Sequence, residues 1–572
     1  MAYLMALSVG PVQEFIATAR RTRDLWFGST LLSEISKSVA SSLQGTQGVT
    51  LIFPSPQNAG DLHPDYLFNV SNILLARLDD SIDPVALWPS LKAATEARWR
   101  ALAGDAIRNL DPDWIVRSRW DKQLADVVEF YAAWLPLQEA EHYRKTRSAL
   151  MRLLAGRKAC RDFEPWHGEA GVPKSSLDGA CETVLTELPP DQAARRASKM
   201  KLSKGEQLDA VGVVKRLGGT RRQYPSVVRI AGDPWLRGLK PDDRQKLIDE
   251  CSRLMRHGLV QLSPDRFPQY SSFPFEGACI YLNRVDEAVE EAPEDQRAAM
   301  ARELKGCLKG LYRSYGEPEP YLALLAADGD RMGEALSKID DLKGHQDFSR
   351  VLSAFTASAA SVIASHSGAL IYSGGDDVLA FVPVDKAVAC ARALQREFTN
   401  RVQGPTLSVG IAIGHMMEPL EILLSHARSA EKLAKTPDRN GLAVVVHPRS
   451  GNPISFRAQW DAAPDETLAT FARYHLEDLI PDKAAFELHR LSIFYGGVKE
   501  PDEEYRARIT SAIRAEAAHI LGNKKADDNT LADIKLRIEK EVRNPGDLER
   551  IASALIIARR LKAGAAQAGG IA

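Results

Sequence analysis

The run Ala369-Leu370-Ile371-Tyr372-Ser373-Gly374-Gly375-Asp376-Asp377-Val378-Leu379-Ala380-Phe381-Val382 decides how this chain is read. Two apolar stretches, Ala369 to Ser373 and Val378 to Val382, flank Gly-Gly-Asp-Asp at hairpin spacing, and glycine supplies the positive φ that a tight turn needs. Two carboxylates are thereby presented at a hairpin tip. Upstream, the apolar run Tyr321 to Ala327 reads as a strand entering Asp328-Gly329-Asp330, with a helix starting near Arg331. Downstream come a helix near Lys386 to Val402, a strand Thr406 to Ile413, a helix Leu420 to Lys435 and a strand Leu442 to Val446. The order β-α-β-β-α-β plus a strand is the ferredoxin-like plan that also underlies polymerase and cyclase palms.

That plan brings Asp328, at the end of one strand, beside the hairpin that carries Asp376 and Asp377. Phosphoryl transfer from a nucleoside triphosphate needs divalent cations that neutralise phosphate charge and activate a hydroxyl, and two-metal sites hold their ions roughly 3.5–4 Å apart. Three clustered carboxylates suit that chemistry. An ordinary polar turn would explain Gly374 to Asp377 taken alone; Asp328 and the strand order favour a metal site. Asp376 and Asp377 would face opposite ways along a regular strand unless the glycine turn breaks the alternation. Gly329 leaves room for backbone N–H groups and a helix start to approach phosphate. Asp330 is read equally as the cap of the next helix or as a metal ligand. Lys435, at a helix end before Thr436-Pro437-Asp438-Arg439-Asn440-Gly441, can reach a triphosphate or simply stabilise the helix terminus.

Working outward, Tyr3 to Val9 followed by Gly10-Pro11 opens the chain with another strand-turn-helix unit, and Leu51 to Phe53 and Val70 to Leu78 add strands. The helix after Pro11 leaves Arg20, Arg21 and Arg23 for solvent, a partner or phosphate. From about Trp88 to Leu154 the pattern reads as helical, and prolines and glycines interrupt a mixed region up to about 315. The fold class is α+β: two ferredoxin-like, nucleotidyl cyclase-like palm domains with a mixed helical insertion and a C-terminal helical domain. The expected bounds are 1–145, 146–315, 316–450 and 451–572, the last ending in a disordered Gly/Ala-rich tail after Lys562.

A length of 572 residues asks for several cores, and 45% hydrophobic with 26% charged residues excludes a disordered or fibrous chain. The net charge of −1 hides the stretch Arg195 to Arg229, where ten Lys or Arg face only Glu206 and Asp209. Lys215-Arg216, Arg221-Arg222 and Tyr224 in it could hold an RNA backbone and stack a base, or form a solvated basic loop. Six scattered cysteines with no Cys-x-x-Cys pair offer no zinc knuckle and suit a reducing cytoplasm. His415 and His426 read as isolated packing or surface residues. No leader and no membrane span are expected.

Together these motifs identify a resemblance. Gly10-Pro11-Val12-Gln13, Arg21-Thr22-Arg23-Asp24-Leu25-Trp26, Gly28-Ser29, Leu31-Leu32-Ser33, Lys174 to Gly179, Leu208 to Arg216 and Tyr224 to Val227 stand in one chain with Asp328 to Gly333 and Ser373 to Asp377. This set resembles the large palm-containing subunit of type III CRISPR effector complexes, in the Cmr (type III-B) branch, over most of residues 1 to 450. The resemblance implies two palms that embrace ATP. It implies Asp328, Asp376 and Asp377 as catalytic ligands of Mg²⁺ or Mn²⁺, and Ser373, Gly374, Gly375 and Lys435 around the nucleotide, with Gly329 beside them. It further implies partners, namely other Cmr subunits, crRNA and target RNA, and a product, cyclic oligoadenylate, made on target capture. The HD nuclease domain of many relatives is not expected here, since none of the twelve histidines precedes an aspartate. The zinc-binding cysteines of some relatives are missing too. Two rival readings are a scaffold that holds nucleotide without turnover and a stand-alone cyclic-dinucleotide cyclase.

Overall fold

A computed structural model describes the chain except residues 59, 65–68, 126, 138–142, 161–165, 220–223, 256–266, 290–293, 482, 498–501, 523–527 and 568–572. Two sheets organise it. The first contains β1 (Tyr3–Gly10), β2 (Val49–Phe53), β3 (Ile73–Leu78) and β4 (Glu129–Pro136) in the order β2-β3-β1-β4, all antiparallel. The second contains β5 (Tyr321–Gly329), β6 (Ala369–Gly374), β7 (Asp377–Val382), β8 (Leu407–His415), β9 (Gly441–Val446) and β10 (Ile454–Gln459) in the order β10-β9-β8-β5-β7-β6. Its four antiparallel strands β8-β5-β7-β6 repeat the order β4-β1-β3-β2 of the first sheet, so the duplicated palm plan is present. β9 runs parallel to β8, and β10 adds an antiparallel edge.

Two strands depart from the sequence reading. β4 lies inside the stretch expected to be helical; its alternating Tyr131 and Ala133 are buried against a neighbouring helix while β1 pairs along its whole length. β10 lies beyond residue 451, where mainly helix was expected, because Phe456 and Ala458 complete the core over β9. The C-terminal helix Pro545–Gln567 continues past Lys562 into the expected tail, whose last residues, 568–572, lie outside the described set. Among the described residues one helix, Leu342–Ser365, is long and apolar enough to cross a bilayer by length and composition. It buries Leu352, Phe355, Ala359 and Ile363 in the core of the second sheet.

The basic stretch is partly internal: Arg196, Lys215, Arg216 and Arg229 are buried, whereas Arg195, Lys199 and Lys204 are exposed. Arg216 makes paired hydrogen bonds to Asp24 (2.6 and 2.8 Å) and a third to Glu206 (3.0 Å), all three side chains being at most 2% exposed. Lys215 donates to the carbonyls of Phe15 and Thr18, Arg229 pairs with Asp233, and Tyr224 stacks on Trp26. Arg23 donates to the carbonyls of Arg216 and Gly218 instead of facing phosphate. Lys215, Arg216 and Tyr224 are therefore fasteners between the first domain and the middle region, Arg229 is one within the middle region, and all four are buried against protein partners; Arg221 and Arg222 lie outside the described residues. Such buried cations persist because carboxylates and carbonyls satisfy them.

The first domain also docks on the second sheet's layer. The Ser55 N–H donates to Ser349 Oγ at 3.0 Å, Gln346 donates to the Leu51 carbonyl, and the Tyr143 hydroxyl meets His345 Nδ1 at 2.8 Å. These contacts set the two palms in a fixed relation around the hairpin.

Candidate active site

The hairpin forms because Gly375 takes φ +68°, the left-handed value required at the first loop position of a two-residue turn, and Gly374 pairs with Asp377 across it. Gly374 is needed for a second reason: a Cβ there would lie 2.1 Å from the Tyr372 hydroxyl. The turn does break the alternation. Asp376 accepts the backbone N–H of Gly329, while Asp377 shares a side-chain hydrogen bond with Asp328. Both acids thus converge on the end of β5.

Gly329 matters by its lack of a side chain, since a Cβ would stand 2.8 Å from the Asp376 side chain. Its N–H, expected to be available to phosphate, is engaged by Asp376 instead. Lys435 ends the helix Leu420–Lys435 and forms ion pairs with Asp328 and with Glu431, the latter at 2.7 Å. Ser373 is fully buried; its Oγ finds no partner among the described residues, and its carbonyl accepts Asn69 Nδ2 at 3.1 Å.

The electrostatics follow from crowding three carboxylates. Burial, then the Asp328 charge, pushes Asp376 up to about 7, and Lys435 and the Gly329 N–H offset this only in part. Asp377, although reachable by solvent, is also pushed up, by loss of water on its inner side and then by the hydrogen bond and charge of Asp328. Burial alone would raise Asp328 as well, but the bonds from Asp377 and Lys435 and the nearby Arg439 charge hold it below the usual carboxylate range. The two carboxyls therefore titrate together, Asp377 pushed up and Asp328 held down. Carboxylates that resist ionising together lack counter-charge, the electrostatic mark of a site built for cations.

The donor set is all hard oxygen, which fits Mg²⁺ or Mn²⁺ by chemistry. In geometry it fits only in part: among the described residues no three acidic, His or Cys side chains stand together as a ready ligand group. Asp328 and Asp377 already face one another, and Asp328 is paired with Lys435.

Asp330 does not cap the next helix, and its carboxylate is engaged within the fold. It is 2% exposed and accepts from Thr406 Oγ1 (2.8 Å), Ser408 Oγ (2.9 Å) and the Asn440 N–H (3.0 Å), tying β5 to β8 and to the turn before β9. The helix Met332–Ser337 is preceded by Arg331 in the left-handed region, with no side-chain cap. That same turn holds Arg439 and Asn440 at φ +60° and +45°, aiming a cation toward Asp328 that sequence reasoning overlooked. The Asn440-Gly441 pair was the available signal for a left-handed turn. His415 accepts the Met417 N–H; His426 is not isolated but stacks on His447 at 3.4 Å, and both pairs lie at the end of β8 and β9 away from the acids.

Known families match this geometry. The Cas10/Cmr2 second palm domain matches residues 321–443, and the N-terminal domain of the CRISPR-associated protein Cmr2 matches 4–104. A relative, the CRISPR system Cmr subunit Cmr2 of Pyrococcus furiosus, is 28% identical over 96% of this chain and 73% of its own length.

The chain resembles Cas10/Cmr2 proteins in both its opening domain and its second palm.

Two solved structures share its fold. They are the type III-B Cmr-beta complex in its apo state and bound to cognate target RNA, each with TM-score 0.65 and covering 92% of this chain. Identities are 13% and 12%, over 78% and 79% of those chains. Within this chain the motif Arg21 to Trp26 acquires an architectural meaning: Thr22 donates to the Pro225 carbonyl, Asp24 caps its own helix through the Arg21 N–H, and the same carboxylate holds Arg216.

Proposed function

We propose that this chain is the large subunit of a crRNA-guided type III-B effector complex, and that its second palm converts ATP to cyclic oligoadenylate when the complex captures target RNA. The observation that carries the reading is the convergence of Asp376 and Asp377 on Asp328 at the hairpin tip, with Lys435 beside them. In each step a ribose hydroxyl attacks an α-phosphorus, a phosphodiester forms, and pyrophosphate leaves with the electron pair of the broken P–O bond. Asp328, Asp376 and Asp377 would hold Mg²⁺ or Mn²⁺, which supplies charge neutralisation and a more acidic hydroxyl. Lys435 would exchange its bond to Asp328 for one to the triphosphate, and Arg439 would add a second cation on the same side. Glu431 keeps the ammonium anchored during that exchange. The other Cmr subunits, crRNA and target RNA are the proposed partners, in the cytoplasm, and signalling is assigned to the palm.

One observation favours a second reading, a nucleotide-holding scaffold: Lys435 already neutralises Asp328, and Asp328 already shares a hydrogen bond with Asp377. Incubating the assembled complex with labelled ATP, Mg²⁺ or Mn²⁺ and cognate target RNA separates the two. Oligoadenylate that disappears in Asp376→Ala/Asp377→Ala supports the palm mechanism, and product unchanged in that variant removes it. No product from the wild type leaves the scaffold, whereas product from the isolated chain without RNA indicates a stand-alone cyclase.

A further inference from the structure

The hairpin tip is fastened at two backbone carbonyls, and one fastener comes from the other palm. Thr356 Oγ1, on the helix beneath the second sheet, donates to the Gly375 carbonyl at 3.3 Å. Asn69 Nδ2, in the segment leading into β3, donates to the Ser373 carbonyl across 304 residues of chain. Ser373 is two residues from Gly375 and three from Asp376, so this bond grips the strand just before the acids.

β6 has particular need of such a grip. It is the edge strand of its sheet, with one backbone side that no strand covers, and its pairing with β7 shifts register between Leu370 and Tyr372. A bulge re-aims the residues that follow it, and an edge strand resists displacement less than a central one. Asn69 is itself held from the first domain. The next residue, Val70, is buried, and its N–H donates to Ser33 Oγ at 2.9 Å. Ser33 lies on the buried side of the helix Thr22–Gln44, whose Asp24 is locked to Arg216 in the middle region. A continuous set of contacts therefore runs from the middle region, along that helix, to the strand that carries the catalytic tip.

We propose that Asn69 is a positioning residue for the chemistry at Asp376 and Asp377: from the first palm, its carboxamide fixes the bulged edge strand β6 and with it the aim of the acids. The inference rests on the nucleotidyl-transfer reading. Asn69 is exposed, so its substitution leaves the core intact.

The test uses the full chain in its assembled complex, with Asn69→Ala, Asn69→Asp and Asn69→Gln. Hydrogen exchange of peptides within 369–382 reports the strand, and kcat and KM for ATP report the chemistry. Asn69→Ala and Asn69→Asp, which cannot donate to a carbonyl, are expected to speed exchange around 373–377. They should also lower kcat about tenfold at unchanged KM, in proportion to the cost of slight misplacement of reacting groups. Asn69→Gln keeps a donor and should recover much of both. Wild-type exchange in Asn69→Ala overturns the proposal, as does faster exchange with wild-type kcat. A rise in KM alone would make Asn69 a substrate contact instead. If the wild type makes no product, the nucleotidyl-transfer reading fails, and unchanged exchange would then refute the fastening separately.

Discussion

Replacing Gly329 by alanine tests whether the acids must sit where this fold puts them. The added Cβ would stand 2.8 Å from both Cβ and Oδ2 of Asp376 and 2.8 Å from Cγ of Met332, whereas ordinary contact begins at 3.4 Å. Something has to give by about 0.6 Å, the difference between those two distances. Met332 can swing away, being long and unbranched. Asp376 cannot do so freely, because its carboxylate takes the Gly329 N–H and its backbone is fixed in the two-residue turn. The acid is therefore displaced. A displacement approaching 1 Å costs up to about a hundredfold in rate, so a loss of roughly ten- to a hundredfold in labelled-ATP turnover by the RNA-bound complex is expected. Overpacking of this kind costs about 1–3 kcal/mol in stability, which a denaturant midpoint measures independently. Gly333→Ala is the control: four residues along, a Cβ there meets nothing within 4 Å. Equal turnover in the two variants would refute the claim that Asp376 has to occupy its present place.

Three other outcomes follow from the same contacts. Asp24→Ala leaves Arg216, whose side chain is 1% exposed, with Glu206 as its remaining ion-pair partner; a destabilisation of about 3–5 kcal/mol is expected in urea unfolding, and no change in midpoint would show that the pair is not needed. Burial, then the Arg147 charge, depresses His345 to about 4, below its unfolded value of 6.5. Its contribution is present above pH 6.5 and is lost as pH falls toward 4, worth at most about 3 kcal/mol, and His345→Phe should flatten unfolding free energy against pH in that window. Asp330→Ala should lower stability by about 1–3 kcal/mol per unsatisfied buried group while leaving the Mn²⁺ concentration dependence of turnover unchanged. A shifted Mn²⁺ dependence in that variant would make Asp330 a ligand after all.

How much of this was legible in the sequence depended on whether the deciding partner was local. The hairpin was, because Gly374 and Gly375 carry the steric reason for the turn within four residues, and the apolar spacing around them fixes the strands. Asp328 was legible through strand order alone. Lys215 and Arg216 were not: the Ala210–Leu217 helix looks like one end of a basic run, and nothing near it announces that Asp24, 192 residues away, neutralises Arg216. Charge runs are read as solvated unless a partner is known, and here the partner lies in another domain. Asp330 failed for the same reason, since Thr406, Ser408 and Asn440 reach it only after β8 has been laid beside β5. β4 was hidden differently, its aromatic residues following a long helical pattern without a strong break.

Arg216, read as part of a basic run, and Asp24, Ser33 and Asn69, to which the sequence assigned no role of their own, have something in common: they join the parts between which the acidic tip is set. Arg21 to Trp26 and Leu31 to Ser33 belong to one helix, and that helix touches the middle region at Asp24 and the support of the hairpin at Ser33. Asp24 in its first turn and Ser33 near its middle are each held by a buried partner, so a displacement at one point meets resistance at the other and not slack. A palm alone would need only Asp328, Asp376, Asp377 and the strands beneath them. A rigid connection from a separate domain to the edge strand is what a site needs when its geometry is to depend on events outside the palm, and Asn69 is the last and most exposed bond in that connection.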